Sequence, residues 1–224
     1  MGATSERQRT KDEGRRVRKG FFITFEGIEG SGKSTQMKLL AAHLRKKGCS
    51  VVTTREPGGT RIGNGIRRIL LDPKFGEMDF RAEALLYAAS RAQHVCEVIK
   101  PALDAGKVVI SDRYVDSSLA YQVFGRGLLW EEIEKVNRWA TGGLEPDLTI
   151  LLYIPTEEGL SRAKESAADR IERESVEFHR RVQEGYKKLA QKFPERYSVV
   201  DATGSAESIH HKILQAVESR LPVL

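Results

Sequence analysis

Five short runs of apolar and β-branched residues recur along the chain, and most of them lack the strict alternation of a half-buried strand. These runs are 21–26, 50–55, 107–112, 148–154 and 196–201. Continuous apolar runs are typical of strands that are covered on both faces. The segments between them are long enough to hold crossover helices. The pattern therefore predicts an α/β fold, with a five-stranded parallel sheet and helices on both of its faces.

Helical periodicity is clear in three places. The first predicted helix has a buried stripe and a terminal glycine, formed by Met37, Leu40, Ala41, Leu44 and Gly48. The second is expected over 82–99, with an inward face of Leu85, Leu86, Ala89 and Cys96. The third lies near the C-terminal end and buries Ile209, Ile213 and Val217. The sequence shows neither a repeat nor an interior linker, which predicts a single domain over 21–224.

The composition is that of a soluble globular protein. The 224 residues are 40 % apolar, which is enough for one sizeable core. No apolar run reaches the roughly 20 residues that a membrane-spanning helix needs, and the first residues lack the apolar stretch of a secretory signal. Cys49 and Cys96 have no metal-ligand spacing and make no disulfide framework. We expect a cytoplasmic protein with no membrane partner.

The positive charge of the chain is concentrated in its first twenty residues. Residues 1–20 hold seven Lys/Arg and three Asp/Glu, which is +4 of the net +6. Val17 is the one aliphatic side chain there that is larger than alanine, so the segment cannot bury enough surface to offset the entropy of ordering. The segment is predicted to be a disordered basic tail. A solvated extension is favoured over a tail that grips nucleic-acid phosphates, and no nucleic-acid partner is expected.

The stretch FEGIEGSGKST at 25–35 contains the spacing G-x-x-x-x-G-K-[ST] between a predicted strand and a predicted helix. In such a loop the backbone amides turn toward bound phosphates, and the helix dipole adds positive potential. Lys33 is expected to reach the β- and γ-phosphates and Ser34 to ligate Mg²⁺. The predicted ATP-binding residues of the loop are Gly27, Ile28, Glu29, Gly30, Ser31, Gly32, Lys33, Ser34 and Thr35. The motif alone predicts a nucleoside triphosphate with magnesium and no specific reaction.

A second group of anion-binding residues follows the loop. It comprises the stretch TREPGGT at 54–60, Arg67, Arg91 and the stretch DRYVDSSLAYQ at 112–122. The base-reading N-K-x-D element of GTPases is absent from the sequence. A second phosphorylated ligand explains the extra cationic side chains most economically.

The stretches FEGIEGSGKSTQ, TREPGGT, LLYAASRAQH, SDRYVDSSLAYQ and PDLTILLYI closely resemble the bacterial thymidylate kinases, in the same order and over nearly all of residues 21–220. The resemblance implies a P-loop NTPase fold with a five-stranded parallel sheet and a homodimer. It also implies the phosphorylation of thymidine 5′-monophosphate (dTMP) to the diphosphate (dTDP) by ATP and Mg²⁺.

Tyr87 and Arg91 are four residues apart on the predicted long helix and share one face, so they can contact one base together. The resemblance implies that Tyr87 stacks on thymine and that Arg91 donates to its O4 atom. It further implies that Arg67 and Arg113 hold the acceptor phosphate. The remaining residues expected at dTMP are Glu29, Glu56, Pro57, Ser117, Ser118, Tyr121 and Gln122.

Asp112 and Arg113 end the third predicted strand, where ligands of open α/β sheets bind. By the resemblance, Asp112 positions magnesium or the acceptor, and we expect the metal ligands to be Ser34 and Asp112. Tyr121 is expected to crowd the sugar 2′ position and favour deoxyribose. The catalytic residues are predicted to be Lys33, Asp112, Arg113 and Arg170.

The polar segment 162–173 is expected to form a mobile lid over the phosphates. Arg162 resembles the family residue that packs on adenine, and Arg170 is expected to face the transferring phosphoryl group. Lys164 and Arg173 remain alternatives for that role. The five histidines are predicted to be surface residues: His43, His94, His179, His210 and His211.

Two other functions stay open on the sequence alone. One is another nucleoside monophosphate kinase, for example one that acts on uridylate. The other is an ATP-gated regulatory or nucleic-acid-binding module that uses the basic tail. A kinase releases ADP only when a nucleotide acceptor is supplied, which distinguishes the two classes.

Overall fold

A computed structural model describes residues 20–163 and 169–221. Five strands form one sheet, and every hydrogen-bonded pair is parallel. The strands are β1 (Phe21–Glu26), β2 (Val51–Arg55), β3 (Val108–Asp112), β4 (Leu148–Tyr153) and β5 (Tyr197–Asp201). Their order across the sheet is β2-β3-β1-β4-β5. The predicted fold class is confirmed, and each predicted strand lies within one residue of the observed one.

The helices connect the strands as crossovers, except the last, which follows β5. They are α1 (Lys33–Lys46), α2 (Arg61–Leu71), α3 (Phe80–His94), α4 (Lys100–Asp104), α5 (Val115–Ser118), α6 (Trp130–Thr141), α7 (Thr156–Ala163), α8 (Val176–Lys192) and α9 (Ala206–Glu218). Two π-helical segments, Val95–Ile99 and Leu119–Gly125, continue α3 and α5. Within the described residues, no helix combines the length and the apolarity that crossing a bilayer requires.

One predicted segment falls almost entirely outside the described residues, and another falls partly outside them. The basic tail was predicted over residues 1–20, of which only Gly20 is described. In the predicted lid over 162–173, residues 164–168, including Lys164, lie outside the described residues.

The register of the sheet brings two sequence motifs together. Phe25 of β1 pairs with Asp112 of β3 on one side and with Ile150 of β4 on the other. The carboxyl ends of β1 and β3 therefore lie side by side. The glycine-rich loop follows β1, and Arg113 follows β3. The strand order reverses direction beside β1, which is where open α/β sheets bind ligands.

The core forms where the helices cover the sheet. The predicted buried stripe of α1 is confirmed, because Met37, Leu40, Ala41 and Leu44 are all buried. The stripe of α9 is confirmed as well, with Ile209, Ile213 and Val217 buried. These two helices join the central strands in the main apolar cluster.

The inward face that we predicted for the long helix is wrong. Leu85 is 57 % exposed, Ala89 and Cys96 are also exposed, and Leu86 is only partly buried. The buried face of α3 instead carries Glu83, Ala84, Ala88, Ser90, Arg91 and His94. Three of the four side chains expected to point inward are thus exposed, while the buried face combines two alanines with polar and charged side chains.

Glu83 is the centre of a buried ion network that includes the end of the predicted lid. Its side chain is fully buried and accepts two hydrogen bonds from Arg126, at 3.1 and 3.0 Å, and one from Gln122 at 3.0 Å. The Arg170 guanidinium also donates to Glu83, and its Nε donates to the carbonyl of Leu70 at 2.8 Å. Burial raises the pKa of Glu83, but Arg126 and Arg170 outweigh this effect and hold it below its ordinary value.

The partners of Arg170 connect this part of the predicted lid to α2 and α3. Besides the side-chain bonds, its backbone amide donates to the carbonyl of Leu71 at 3.0 Å. Only 7 % of Arg170 is exposed. The expectation that Arg170 faces the transferring phosphoryl group does not fit this arrangement, because its guanidinium is bound to Glu83 and Leu70.

We predict that Arg170→Ala lowers the free energy of unfolding by about 2 kcal/mol, since it leaves the Leu70 carbonyl and part of the Glu83 carboxylate unpaired. Urea denaturation measures this change, with Arg81→Ala as the control because the Arg81 side chain is 78 % exposed on the same helix as Glu83. Unchanged stability together with a large loss of turnover would instead favour a role for Arg170 at the phosphoryl group.

Candidate active site

The loop between β1 and α1 approaches helix α7 more closely than any side chain would permit. Gly30 has a φ of 73°, and a Cβ placed there would lie 2.0 Å from the carbonyl oxygen of Gly159. A Cβ on Gly159 would in turn lie 2.8 Å from the carbonyl oxygen of Glu29. Glycine is therefore required at both positions. Gly32, also at positive φ, precedes the first turn of α1 without a side-chain cap, so the turn's amides remain available to an anion.

Lys33 is the first residue of α1, and its ammonium group turns back over the loop. Its Nζ donates to the carbonyl oxygens of Gly27 at 3.0 Å and Ile28 at 2.8 Å. Burial and then Arg113 lower the pKa of Lys33, and Glu29 only partly offsets them. The lysine is thus held at the loop where phosphates are predicted to bind.

A cleft above this loop contains most of the predicted ATP-binding residues, and we call it the donor cleft. It is lined by Glu29, Gly30, Gly32, Lys33, Ser34, Thr35, Arg55, Glu56, Arg67, Asp112, Arg113, Arg162, Ala163, Asp169 and Glu172. Gly27, Ile28 and Ser31 of the predicted set do not line it. Ile28 is fully buried and belongs to the apolar core.

Asp112 and Ser34 both line the donor cleft, as expected of the predicted metal ligands. The Oδ1 atom of Asp112 is buried and has no hydrogen-bond partner among the described residues. A hard oxygen donor without a protein partner suits a magnesium ion that takes its remaining ligands from phosphates and water. Among all the described residues there is no cluster of three His, Cys, Asp or Glu side chains that could hold a metal ion without other ligands.

A second cleft, which we call the acceptor cleft, contains all eleven residues predicted to bind dTMP. It is lined by Glu29, Glu56, Pro57, Arg67, Leu71, Tyr87, Arg91, Arg113, Ser117, Ser118, Tyr121, Gln122, Asp169 and Ile171. Leu71, Asp169 and Ile171 are additions that the sequence analysis did not make.

The two clefts are continuous because five residues line both of them. These are Glu29, Glu56, Arg67, Arg113 and Asp169. The shared region is therefore rich in charge of both signs, and two ligands in these clefts would meet there.

Arg113 occupies the centre of the shared region. Its NH1 donates to Ser117 at 3.2 Å and Tyr186 at 3.0 Å, while its NH2 donates to Tyr121 at 3.1 Å and to Glu29. Burial lowers the pKa of Arg113, but Glu29 outweighs this effect and raises it well above the ordinary value. The guanidinium is thus a permanent positive charge that four side chains hold in place.

The backbone at Arg113 is unusual. Its φ of 69° is the one positive value found at a non-glycine residue in the described part of the chain. Arginine seldom adopts this conformation, and such strain is concentrated at functional sites. Hydrogen bonds on each side stabilise it, because the Arg113 amide donates to Phe25 and the next amide, Tyr114, donates to Glu26 at 2.8 Å.

Glu29 is the loop residue that contacts Arg113, and it lies 3.8 Å from the Lys33 ammonium. Burial raises the pKa of Glu29, but Arg113 and Lys33 together lower it by more, so the pKa lies below its ordinary value. The carboxylate therefore remains ionised between two cations, which explains how an acidic side chain is tolerated beside a phosphate site.

Glu26 is the last residue of β1 and is fully buried. It accepts hydrogen bonds from the Tyr114 amide, from Ser117 at 2.6 Å and from Tyr186 at 3.0 Å. Burial and the nearby Asp116 raise its pKa to about 7, against smaller opposing effects of Ser117, Arg113 and Tyr186. No sequence signal singled out Glu26, because it ends an apolar strand.

The far end of the acceptor cleft is built around Arg91, which is 1 % exposed. Arg91 donates from Nε to Glu56 at 2.7 Å, from NH1 to Ser118 at 2.8 Å and also to Asn137, and from NH2 to the Tyr114 carbonyl at 2.9 Å. A guanidinium has five N–H donors. Within the described residues four are engaged, which leaves one NH2 donor for a ligand in the cleft.

Tyr87 lies one helical turn before Arg91 and lines the same cleft, so the structure brings together the two residues that were predicted to contact one base. Arg67 lines it from α2 and donates to the Pro57 carbonyl at 2.9 Å. On the donor side, Arg162 donates to Ala202 at 3.3 Å and to Glu158 at 2.6 Å.

Two of the five histidines contradict the surface prediction, since His94 and His179 are fully buried. His94 contacts Thr54 and Glu56. Neither ring nitrogen of His179 has a hydrogen-bond partner among the described residues. A signal for His94 was present in the sequence, because it follows Arg91 by three residues and shares its helix face.

A sequence model of the thymidylate kinase family matches residues 25–213. The chain is 55 % identical over 205 residues to the thymidylate kinase of Pelotomaculum thermopropionicum, covering 91 % of this chain and 95 % of that protein. It is 52 % identical over 207 residues to the thymidylate kinase of Halothermothrix orenii, covering 91 % and 99 %.

A solved structure is similar as well. The crystal structure of thymidylate kinase from Ehrlichia chaffeensis matches with a TM-score of 0.74 and 32 % sequence identity, covering 88 % of this chain and 98 % of that one. Because the family model and these relatives span most of the sequence, the chain belongs to the thymidylate kinase family and is a kinase.

Proposed function

We propose that the two clefts bind ATP and dTMP so that the γ-phosphoryl group passes between them in line, giving dTDP for dTTP synthesis and ADP. The observation that supports this most directly is the shared region around Arg113, where ligands in the two clefts would meet. The reaction is that of the thymidylate kinase family, to which the chain belongs. No covalent enzyme intermediate is required.

On the donor side, Lys33 and the first amides of α1 bind the β- and γ-phosphates of ATP. To do so, the Lys33 ammonium exchanges its carbonyl partners, Gly27 and Ile28, for phosphate oxygens. Arg162 at the end of α7 packs beside adenine. Arg170 has no place in this mechanism, because its guanidinium is bound to Glu83.

Mg²⁺ would be held by the Ser34 hydroxyl and the Asp112 carboxylate. When bound, it would neutralise charge on the phosphate oxygens and orient them. The unpartnered Oδ1 of Asp112 supports this assignment.

On the acceptor side, Arg113 and Arg67 hold the phosphate of dTMP near Lys33. Tyr87 stacks on the base, Arg91 donates its remaining N–H to the O4 atom, and Ser118 meets the pyrimidine edge. Tyr121 lies against Arg113 and Glu29, where its ring excludes a 2′-hydroxyl. Glu56, Pro57, Ser117 and Gln122 complete the wall.

A coupled ADP-release assay over a panel of nucleoside monophosphates tests this function. We expect no ADP without an acceptor and the highest kcat/KM with dTMP. Steady ADP release without any acceptor would refute the proposal.

Lys33→Ala should lower turnover by roughly 10²-fold, because Lys33 stabilises charge that develops on the phosphates. Lys38→Ala, on the exposed face of the same helix, serves as the control.

Glu26 gives a prediction about pH. Its pKa is about 7 in the folded protein and 4.5 ordinarily, so the folded state binds more protons between these values. Stability contributed by protonated Glu26 is therefore present at low pH and lost as the pH rises through about 7. Gln mimics the protonated acid, so Glu26→Gln should not show this loss.

Denaturant unfolding of both proteins at about pH 5 and about pH 8 measures the difference, since other titrating groups are common to both. The wild type should lose more free energy of unfolding than Glu26→Gln over this interval. Parallel losses in the two proteins would mean that Glu26 does not take up a proton on folding.

We also propose that two copies of the chain pair through the outer face of α3. Leu85, Ala89, Ala92 and Cys96 follow helical spacing at i, i+4, i+7 and i+11. Leu85, Ala89 and Cys96 are exposed although the face is apolar. Such a face suits an identical apolar face on a second copy.

The mass in solution tests the pairing by light scattering after gel filtration. We expect a dimer for the wild type and a monomer for Leu85→Glu. Trp139→Glu is the control, because Trp139 is 88 % exposed on α6. A dimeric Leu85→Glu protein would place the interface elsewhere.

A reducing, cytoplasmic location is proposed as well, supported by the free thiols of Cys49 and Cys96.

A further inference from the structure

A buried polar chain lies behind the base end of the acceptor cleft and connects β2 to Arg91. The Oγ1 atom of Thr54 lies 2.6 Å from Nε2 of His94, and Nδ1 of His94 lies 2.9 Å from Oε1 of Glu56. The other carboxylate oxygen of Glu56 accepts from Nε of Arg91 at 2.7 Å. His94, Glu56 and Arg91 are 0 %, 4 % and 1 % exposed.

The partners of His94 determine where its proton lies. A carboxylate oxygen only accepts hydrogen bonds, so the imidazole nitrogen beside Glu56 must carry a hydrogen. In the neutral ring the other nitrogen then accepts, and the hydroxyl of Thr54 can donate to it. The Nδ1–H tautomer therefore satisfies every polar atom of the chain.

This chain controls the direction of the guanidinium of Arg91. Glu56 has two oxygens, and His94 occupies the one that Arg91 does not use. If His94 were absent, the carboxylate could rotate and Arg91 would lose the fixed acceptor for its Nε. The remaining NH2 donor would turn with the guanidinium plane.

We infer that His94 is a positioning residue that sets the base specificity of the acceptor cleft through Glu56 and Arg91. The inference rests on the proposed role of Arg91 as the donor to the O4 atom of thymine. His94 does not itself line the cleft. An oriented N–H donor favours thymine, whose position 4 is a carbonyl acceptor, over cytosine, whose position 4 carries an amino donor.

His94 also packs against the loop that carries Glu56. The alternative to a positioning role is therefore that His94 only supports this loop. A Cβ on Gly59 would lie 2.8 Å from both Cδ2 and Nε2 of His94. If His94 served only to support this loop, its loss would reduce activity on every pyrimidine monophosphate by the same factor. A change in the ratio between substrates separates the two roles.

The experiment compares kcat/KM for dTMP and for deoxycytidine monophosphate in the full-length protein. His94→Leu should reduce the dTMP:dCMP ratio by about tenfold, through the KM for dTMP, with the KM for ATP unchanged. His94→Asn can place its amide N–H near the position of Nδ1, so it should retain most of the ratio. His94→Gln extends toward Thr54 instead and should behave like His94→Leu. His211→Leu, at an exposed histidine, is the control.

Two further measurements keep the inference testable if His94→Leu does not fold. Thr54→Val removes only the hydroxyl that donates to Nε2 of His94, and it should lower the same ratio to a smaller extent. The ¹⁵N spectrum of the wild type should show the Nδ1–H tautomer for His94 in the folded protein. An Nε2–H tautomer would overturn the inference.

The outcomes also distinguish this inference from the proposed function. A wild-type protein with no preference for dTMP would refute the proposed function. A wild-type preference that survives unchanged in folded His94→Leu, or that His94→Gln retains and His94→Asn loses, would overturn the inference alone.

Discussion

The ion pair between Arg113 and Glu29 is the contact on which the active site depends. It joins the glycine-rich loop after β1 to the residue that follows β3, across two strands that are neighbours in the sheet. Both residues line both clefts, so the pair lies where the two substrates are proposed to meet. Arg113 reaches this position with a positive φ that few arginines adopt, and the neighbouring amides bond to β1.

Buried charge is the general means by which this protein orients its side chains. Glu26, Glu56 and Glu83 are almost fully buried, and each accepts several hydrogen bonds. Such networks often stabilise a fold no more than apolar residues of the same volume would, whereas removal of one partner is destabilising because it leaves the other partner's charge buried and less well compensated. Their benefit lies in orientation, because donors fixed before the substrate binds need no reorganisation during the reaction.

The sequence predicted the sheet well for a physical reason. Strands covered on both faces are continuous apolar runs, and Phe22, Ile23 and Phe25 of β1 are all fully buried. The same reasoning failed for α3, because it assumes that apolar residues point inward. Around a charged ligand site the inward face is polar, as Arg91 and His94 show.

The acceptor cleft was predicted through resemblance to a family, which provides positions that periodicity cannot. What could not be predicted was pairing over long distances in sequence. Glu83 and Arg170 are 87 residues apart, and only the fold shows that they meet. Glu26, at the end of an apolar strand, gave no local signal of its contacts with Ser117 and Tyr186.

The run Asp169–Glu172 shows why a cationic residue in a polar segment does not by itself identify a catalytic cation. Asp169 lines both clefts, while its Oδ1 accepts from the amides of Ile171 and Glu172 at 2.9 Å and so closes a tight turn. Arg170, next in sequence, lines neither cleft and instead pairs with Glu83 on α3. Two adjacent residues thus have different roles, since Asp169 lines the clefts and Arg170 belongs to the supporting ion network. Because Glu83 lies one helical turn before Tyr87, the contact that anchors this end of the predicted lid also supports the helix proposed to bind the base.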